Sequence, residues 1–574
     1  MIEKPIILFG NEKHIFDFEV LFRELSIEGY LVGEKTENTL KNSCETLGNN
    51  CETLENSLRY KAVYDFKQLK QGELKNRLVI VCELKSEFLE KKMERAGAEY
   101  GQDYLFVSDC FSKYSPAFLE RKQRKLVIWG AGADGKSAYL DLKRRKLDSE
   151  IDFFIDKNEE ISELFSVPVK SPEAITDWSD LYVVVATRKY HWEIYEQLEK
   201  LGMKYRKDYV HVSEMQDYSE MLHKVFFSEE NYEFTCNRPF GTCDIINGSV
   251  HLCCPDFLHI SIGNMRFMSF EDCWNSYLAR ILRLSVCNGT FAFCDKQYCD
   301  KYCFDEVSTV SSERKEYHML EERRYPGSMM VGIDDSCNLT CPSCRKELYV
   351  IKEEAERKER FRQAEDLLEH MIPHVDHLWL AGSGEVFFSP VYRAILQDER
   401  CKKRDSICIL SNGTLFNEKN WELLKDTYKE IYVVVSLDGI RDETIEKLRR
   451  GADAKKLKEN LRFLGELRGK NQIKEIVVNF VLQADNVAEM ADLLQFCKEN
   501  NIDRLQILRL KYHAAMSKED FNRLSVFDKN GEIKQEYLCY FNEEFIKDER
   551  IDWFNNAKLF GLKEYPRIGL YDLV

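Results

Sequence analysis

Nothing in these 574 residues is apolar for long enough to cross a bilayer. The longest runs, IYVVVSL (431–437) and IVVNFVL (476–482), have the length of strands, against ~18–20 residues for a membrane span. The start, MIEKPIILFGNEKHIF, lacks a basic segment followed by an apolar core, so no export leader is expected and the chain is read as cytoplasmic. Positive charge is also short. The 83 Lys and Arg face 99 Asp and Glu, a net charge of −16, which counts against a nucleic-acid partner because phosphate binding wants a basic face. What remains is ordinary folding material, 44% hydrophobic and 32% charged, with a length that suggests about four domains at ~150 residues each.

Cysteine, by contrast, is abundant: 20 residues. In a reducing compartment they do not make a disulfide scaffold, so thiols clustered at short spacings read as metal ligands. The tightest cluster is DDSCNLTCPSCRKE (334–347), which places Cys337, Cys341 and Cys344 as C-x3-C-x2-C directly after the strand-like MMVGI. A structural zinc site wants four ligands and a redox pair wants one C-x2-C. Three thiols on one loop hold three corners of a cubane iron–sulfur cluster, whose usual set is four, and leave one iron open for a substrate or cofactor.

The first ~215 residues contain a duplication. PIILFG (5–10) answers KLVIWG (125–130), and RAGAEYGQDYLFVSD (95–109) answers KLGMKYRKDYVHVSE (200–214), with a constant offset of 105 between Gly97, Tyr100, Asp103, Tyr104 and Gly202, Tyr205, Asp208, Tyr209. Each copy (1–113 and 125–220) alternates strand-like and helix-like runs, which predicts a small parallel sheet apiece. A polar insert, KNSCETLGNNCETLEN (41–56), reads as a surface loop in the first copy, with Cys44 and Cys51 incidental. The second copy carries Gly130, Gly132 and Gly135 as G-x-G-x-x-G after its first strand, and Asp156 after its second. That is the setting of a dinucleotide turn, and equally of a tight turn with no ligand. This half resembles the Rossmann-like domains of sugar acyltransferases and other carbohydrate-associated enzymes.

Residues 221–305 hold nine cysteines: Cys236, Cys243, Cys253, Cys254, Cys273, Cys287, Cys294, Cys299 and Cys303. DIINGSVHLCC within them reads as a hairpin around an Asn-Gly turn with thiols at its end. From 328 to 545, six strand-like runs (MMVGI, HLWLAG, ICILSNG, EIYVVVSLDG, IVVNFVLQ, RLQILRL) alternate with helix-like segments, which fits an open (β/α)6, TIM-barrel-like parallel barrel, followed by a tail at 546–574. The charged run ELYVIKEEAERKERFRQAEDLLEHM reads as a solvated helix face.

Together, the three-cysteine loop and the segments that follow it resemble the radical S-adenosylmethionine superfamily. AGSGE (Gly382, Ser383, Gly384, Glu385) is similar to the family's GGE after strand two, with Ser383 in place of a glycine. LSNGT (Asn412) is similar to TNG after strand three, and VSLDG (Ser436, Asp438) to SxDG after strand four. LRRGA (Arg449, Arg450) follows, and Asn479 lies on strand five. The resemblance implies a [4Fe–4S] cluster on Cys337, Cys341 and Cys344, with S-adenosylmethionine on its open iron and these residues around the cofactor. An arginine there pairs with the cofactor's carboxylate. Reductive cleavage would give a 5′-deoxyadenosyl radical that abstracts hydrogen from a substrate. The cysteine-rich segment resembles the SPASM domain, although in most relatives that domain follows the barrel. At least one auxiliary [4Fe–4S] cluster is then expected, on ligands drawn from Cys236, Cys243, Cys253, Cys254, Cys294, Cys299 and Cys303; a zinc site is the rival.

Three functions follow as expectations. The first is a radical enzyme of an anaerobe acting on a sugar or cell-surface-glycan small molecule by dehydrogenation, epimerisation or rearrangement. The second is a peptide-modifying maturase of the same family. The third, of another class, is an iron–sulfur electron carrier or scaffold. An external reductant such as flavodoxin or ferredoxin is an expected partner. The residue that closes the reaction is not identified by the sequence; Cys408, Cys539, Tyr512 and His513 are options without an assignment, Cys408 reading more simply as a buried inert thiol.

Overall fold

The computed structural model describes residues 4–23, 25–32, 62–113, 121, 123–187, 190–230, 232, 236–296, 299, 325–380, 384–402, 404–512, 515–553 and 560. The polar insert with Cys44 and Cys51, together with Cys303, Gly382, Ser383 and His513, lies outside them. Contacts divide the chain into two units: 1–235 with 275–292 and 308–322, and 236–274 with 293–307 and 323–574. Among the described residues, no helix is long and apolar enough to cross a membrane.

The first unit holds two parallel sheets. One consists of β1 (Ile6–Gly10), β2 (Ile27–Val32), β3 (Ala62–Asp65), β4 (Leu78–Cys82) and β5 (Tyr104–Phe106), in the order β3-β2-β1-β4-β5. The other consists of β6 (Lys125–Trp129), β7 (Ile151–Ile155), β8 (Glu163–Leu164), β9 (Val167–Lys170), β10 (Leu181–Val185) and β11 (Tyr209–His211), in the order β11-β10-β6-β7-β9-β8. Counted within each copy, both run 3-2-1-4-5, the Rossmann order short of its sixth strand, with β8 and β9 an antiparallel ribbon in the third place. Apolar runs such as LYVVV are buried from end to end because helices cover both faces of such a sheet. The duplicated anchors do the same work twice. The Glu99 N–H donates to Asp103 as the Lys204 N–H donates to Asp208, and Gly97 and Gly202 have φ of 80° and 82°.

The second unit is built on one ten-stranded sheet. Its centre is the expected series of six parallel strands: β15 (Ser328–Gly332), β16 (His377–Leu380), β17 (Ser406–Ser411), β18 (Glu430–Ser436), β19 (Glu475–Leu482) and β20 (Arg504–Arg509). They follow one another in chain order and do not close. The interior face carries Met330, Trp379, Cys408, Leu410, Tyr432, Val434 and Val477. The ends of the series are extended. β21 (Ile551–Asp552) pairs parallel to β20. At the other end the cysteine-rich segment joins the same sheet: β12 (Thr242–Ile246) runs parallel to β15, and β13 (Ser249–His251) and β14 (Gly263–Asn264) follow antiparallel. The expected hairpin is present, turning at Asn247 and Gly248 with φ of 51° and 81°. The helix Tyr277–Cys287 from the same stretch of sequence belongs to the first unit.

Candidate functional site

The three-cysteine loop leaves β15 at the end where a parallel barrel gathers its functional loops. It is held by short-range bonds: Ser336 N–H donates to Asp334 Oδ1 (2.8 Å), and Cys337 N–H to the Tyr349 carbonyl (3.0 Å). Two of the sulfurs have their own donors, and the third has a neighbouring cation. Leu339 N–H (3.4 Å) and Asn412 Nδ2 (3.7 Å) point at Cys337 Sγ, Arg449 Nη1 points at Cys341 Sγ (3.9 Å), and the Arg345 guanidinium lies beside Cys344. Burial pushes the thiols of Cys337 and Cys341 up, so without a metal they favour the protonated form. Donors aimed at sulfur favour thiolate and are what a metal-bound thiolate needs around it. Among the described residues no three His, Cys, Asp or Glu side chains converge on a single metal ion. A cubane takes each thiolate on a different iron, so its ligands face a shared volume rather than one point.

The loop after β16 packs directly on the cysteine loop. A Cβ on Gly384 would lie 2.2 Å from the Asp334 carbonyl oxygen, so only glycine allows the approach. Glu385 then reaches across to the next loop. Its carboxylate, fully buried, accepts from Ser411 Oγ (2.8 Å), Asn412 N–H (2.7 Å) and Phe387 N–H (3.3 Å). Burial outweighs these donors and pushes the carboxyl up to about 7. Asn412 completes the chain of contacts: besides Cys337 it bonds Asn338 Oδ1 (2.9 Å), and its own Oδ1 accepts from Thr414.

After β18, Asp438 and Arg449 form a buried ion pair, Oδ2 to Nε 2.8 Å, which is not aligned as a hydrogen bond. Val481 N–H donates to the other carboxylate oxygen (2.9 Å). Arg450 points its side chain to solvent, while its carbonyl accepts the Thr340 N–H (3.0 Å). The SxDG and LRRG segments therefore clamp the cysteine loop from the strand-four side, and Arg449 is committed to Asp438 and Cys341.

Ser436 and Asn479 are register partners on β18 and β19, two steps above Val434 and Val477, so both face the barrel interior. The row continues through residues the sequence reading did not select: Asn479 pairs with Gln506, and Gln506 with Asp552, to which it donates at 2.8 Å. A polar residue alternating into an apolar strand, as in RLQILRL, was the available signal, the same one that Asn479 gives. Two orphans close this side: Asn479 Oδ1 and Gln483 Nε2 are buried and have no hydrogen-bond partner among the described residues.

The cysteine-rich segment gathers a second set of thiols. Burial pushes Cys253 well above its ordinary range; charge on Cys236, Cys254 and Asp244 pushes the same way, against nearby Arg238. Cys294 is raised by burial and by its neighbours Cys236 and Cys299. Cys254 is raised to about 12, again mainly by burial. Cys236, Cys253, Cys254, Cys294 and Cys299 are thus one neighbourhood. As the register partner of Met329, Cys243 faces the outside of the sheet, opposite to Asp244, and is fully buried there. Asp244, partner of interior Met330, is a further residue the sequence did not flag, and burial pushes its carboxyl up to about 7. Thr242 Oγ1 donates to the Leu252 carbonyl (3.3 Å), so the second set lies by the start of β12. The first set lies beyond the end of β15. The ladder from Thr242↔Ser328 to Ile246↔Gly332 separates them, about 13 Å of strand.

Comparison with known proteins gives two family matches: Radical SAM superfamily over residues 333–497, and C2185-like, N-terminal over 122–208. The antilisterial bacteriocin subtilosin biosynthesis protein AlbA of Bacillus subtilis (strain 168) is 34% identical over 113 residues, 20% of this chain and 24% of that one. The chain thus spans about a quarter of that relative's length. Among solved structures, SuiB of Streptococcus suis bound to precursor peptide SuiA is matched at TM-score 0.25 and 19% identity, over 37% of this chain and 49% of that one. The radical S-adenosylmethionine methyltransferase TsrM of Kitasatospora setae is matched at TM-score 0.26 and 11% identity, over 88% and 72%.

Proposed function

We propose that this chain, a member of the radical SAM superfamily through residues 333–497, is an enzyme that opens S-adenosylmethionine reductively and takes a hydrogen atom from a peptide. The observation that carries the reading is the supply of separate donors to two of the loop sulfurs and a cation beside the third, under loops from strands two to four. Cys337, Cys341 and Cys344 would hold a [4Fe–4S] cluster. Bound there, the cluster and S-adenosylmethionine supply the electron and the sulfonium from which hydrogen abstraction starts. The chain's own part is to place and shield. Asn479 Oδ1 and Gln483 Nε2, without a hydrogen-bond partner among the described residues, offer an acceptor and a donor to the cofactor's polar groups. Trp379, Cys408, Tyr432 and Val434 fill the barrel beneath and exclude water from that side. Cys236, one of Cys253 and Cys254, Cys294 and Cys299 would hold an auxiliary cluster, and an external reductant such as flavodoxin or ferredoxin supplies electrons.

Similarity to a bacteriocin biosynthesis protein supports a peptide substrate. A sugar is the second reading, favoured by the tandem Rossmann-like sheets and the glycine turn of the second. In that turn, Ala131 N–H donates to Asp156 Oδ2 (2.7 Å), so one of the amides a phosphate would use is taken by the chain itself. The test is anaerobic reconstitution with dithionite and S-adenosylmethionine, read as 5′-deoxyadenosine and as a mass change in a precursor peptide encoded beside the gene. Accumulation of 5′-deoxyadenosine with no peptide change but with turnover of a sugar would favour the second reading. A reduced loop cluster that releases no 5′-deoxyadenosine would leave an electron carrier.

A further inference from the structure

Arg449 is where the sequence would place a partner for the cofactor's carboxylate, yet its guanidinium is spent elsewhere. Nε lies 2.8 Å from Asp438 Oδ2, with the two side chains 12% and 0% exposed. Nη1 points at Cys341 Sγ, 3.9 Å away. Asp438 is itself fixed by the Val481 N–H and by its place at the end of β18, so the arginine is held on a rigid arm. The donors on Cys337, a backbone N–H and an amide, are uncharged. The cation beside Cys344 is less enclosed, because that cysteine is exposed. Arg345 also lies near Cys337, but among the described residues Arg449 is the cation whose guanidinium is in contact with a buried loop sulfur, where solvent screens least.

We infer that Arg449 is a positioning residue that sets the reduction potential of the iron held by Cys341, with Asp438 governing how much of the arginine's charge the sulfur feels. This rests on the reading of the three-cysteine loop as a cluster site. Reduction adds one electron to the cluster, and positive charge next to a ligating sulfur favours the more negative, reduced form. Removing Arg449's charge lowers the potential. Removing Asp438's charge raises it, because the arginine is then less neutralised. A residue that merely braces the loop would not give shifts of opposite sign.

The experiment uses the full chain, reconstituted anaerobically with iron and sulfide and titrated potentiometrically with EPR detection. A Cys337→Ala, Cys341→Ala, Cys344→Ala triple variant identifies which signal belongs to the loop. Arg449→Met is expected to keep its iron and to shift the loop midpoint negative by a tenfold change in the reduction equilibrium, about 59 mV for a one-electron couple. Asp438→Asn shifts it positive, Arg449→Lys falls between Met and the native residue, and the auxiliary signals stay in place. An unmoved midpoint in Arg449→Met with full iron overturns the assignment. If that variant takes up no loop iron, Arg449→Lys and Asp438→Asn carry the test, and no shift, or shifts of the same sign, overturns it. A triple-cysteine variant that keeps every signal overturns the cluster reading itself, and this assignment with it.

Discussion

Replacing Asn412 by aspartate changes one atom's chemistry at nearly constant shape. The native Nδ2 lies 3.7 Å from Cys337 Sγ and 2.9 Å from Asn338 Oδ1, donating to both. Asn412→Asp puts a negative oxygen in that place. At an effective dielectric constant of ~20, two unit charges 3.7 Å apart repel by about 4 kcal/mol. At 1.4 kcal/mol per tenfold, that is roughly three orders of magnitude in iron affinity at this ligand. The carboxyl escapes part of the repulsion by taking up a proton, so the defect deepens as pH rises. Iron per chain after anaerobic reconstitution and desalting, at pH about 6 and about 8.5, reads the effect. The loop iron is lost at the higher pH and partly regained at the lower, while the auxiliary iron stays. Asn412→Ser, which removes the donor without adding charge, costs only about 1 kcal/mol. An aspartate variant that holds native iron at the higher pH would refute the placement of Asn412 over Cys337.

Four other outcomes follow from the same geometry. Gly384→Ala drives a methyl into the Asp334 carbonyl 2.2 Å away and destabilises the two loops by about 1–3 kcal/mol or more; unchanged amide exchange over 384–389 would contradict this. Glu385 titrates at about 7 in the fold against 4.5 unfolded, so the folded chain keeps a proton that the unfolded chain releases. This contribution is full below 4.5 and is lost as pH rises through 7, on the order of 3 kcal/mol at 1.36 per unit. Glu385→Gln removes that slope, and parallel pH profiles of stability in the two proteins would sink the argument. In metal-free chain, iodoacetamide labels exposed Cys344 and Cys539 first, and labelling of Cys337 and Cys341 still climbs above pH 9, read by peptide mass spectrometry; saturation at lower pH would contradict their burial. Cys243 faces outward with Met329, so Cys243→Ala is expected to leave the iron content unchanged whereas Cys253→Ala and Cys294→Ala lower it; iron loss in the first would keep that thiol among the ligands.

Much of the architecture was legible because its signals are local. The six barrel strands are apolar runs of strand length, the hairpin is announced by Asn247-Gly248, and the twin sheets by a repeat with a constant offset. What stayed hidden depends on pairing between distant segments. That TCDII (242–246) would lie parallel to SMMVG (328–332) is a register, and no short window of sequence encodes it. The directions of Cys243 and Asp244 hid for the same reason: they are adjacent in sequence, but alternation sends one outward with Met329 and the other inward with Met330. Arg449 was found by motif, and its partner was not, because the choice between a ligand carboxylate and Asp438 is made by which of them the fold brings within reach. Gln506 and Asp552 matter only as continuations of a row that begins at Ser436.

The fusion of β12 to β15 makes the spacing between the two groups of sulfurs a property of main-chain pairing rather than of a linker. A tether can be lengthened one residue at a time; a ruler cut from β-structure cannot. Deleting a single residue from either strand would swap which side chains look inward, turning Asp244 or Met330 toward the helices. Any evolutionary or engineered change in that distance must come in steps of two, made in both strands together.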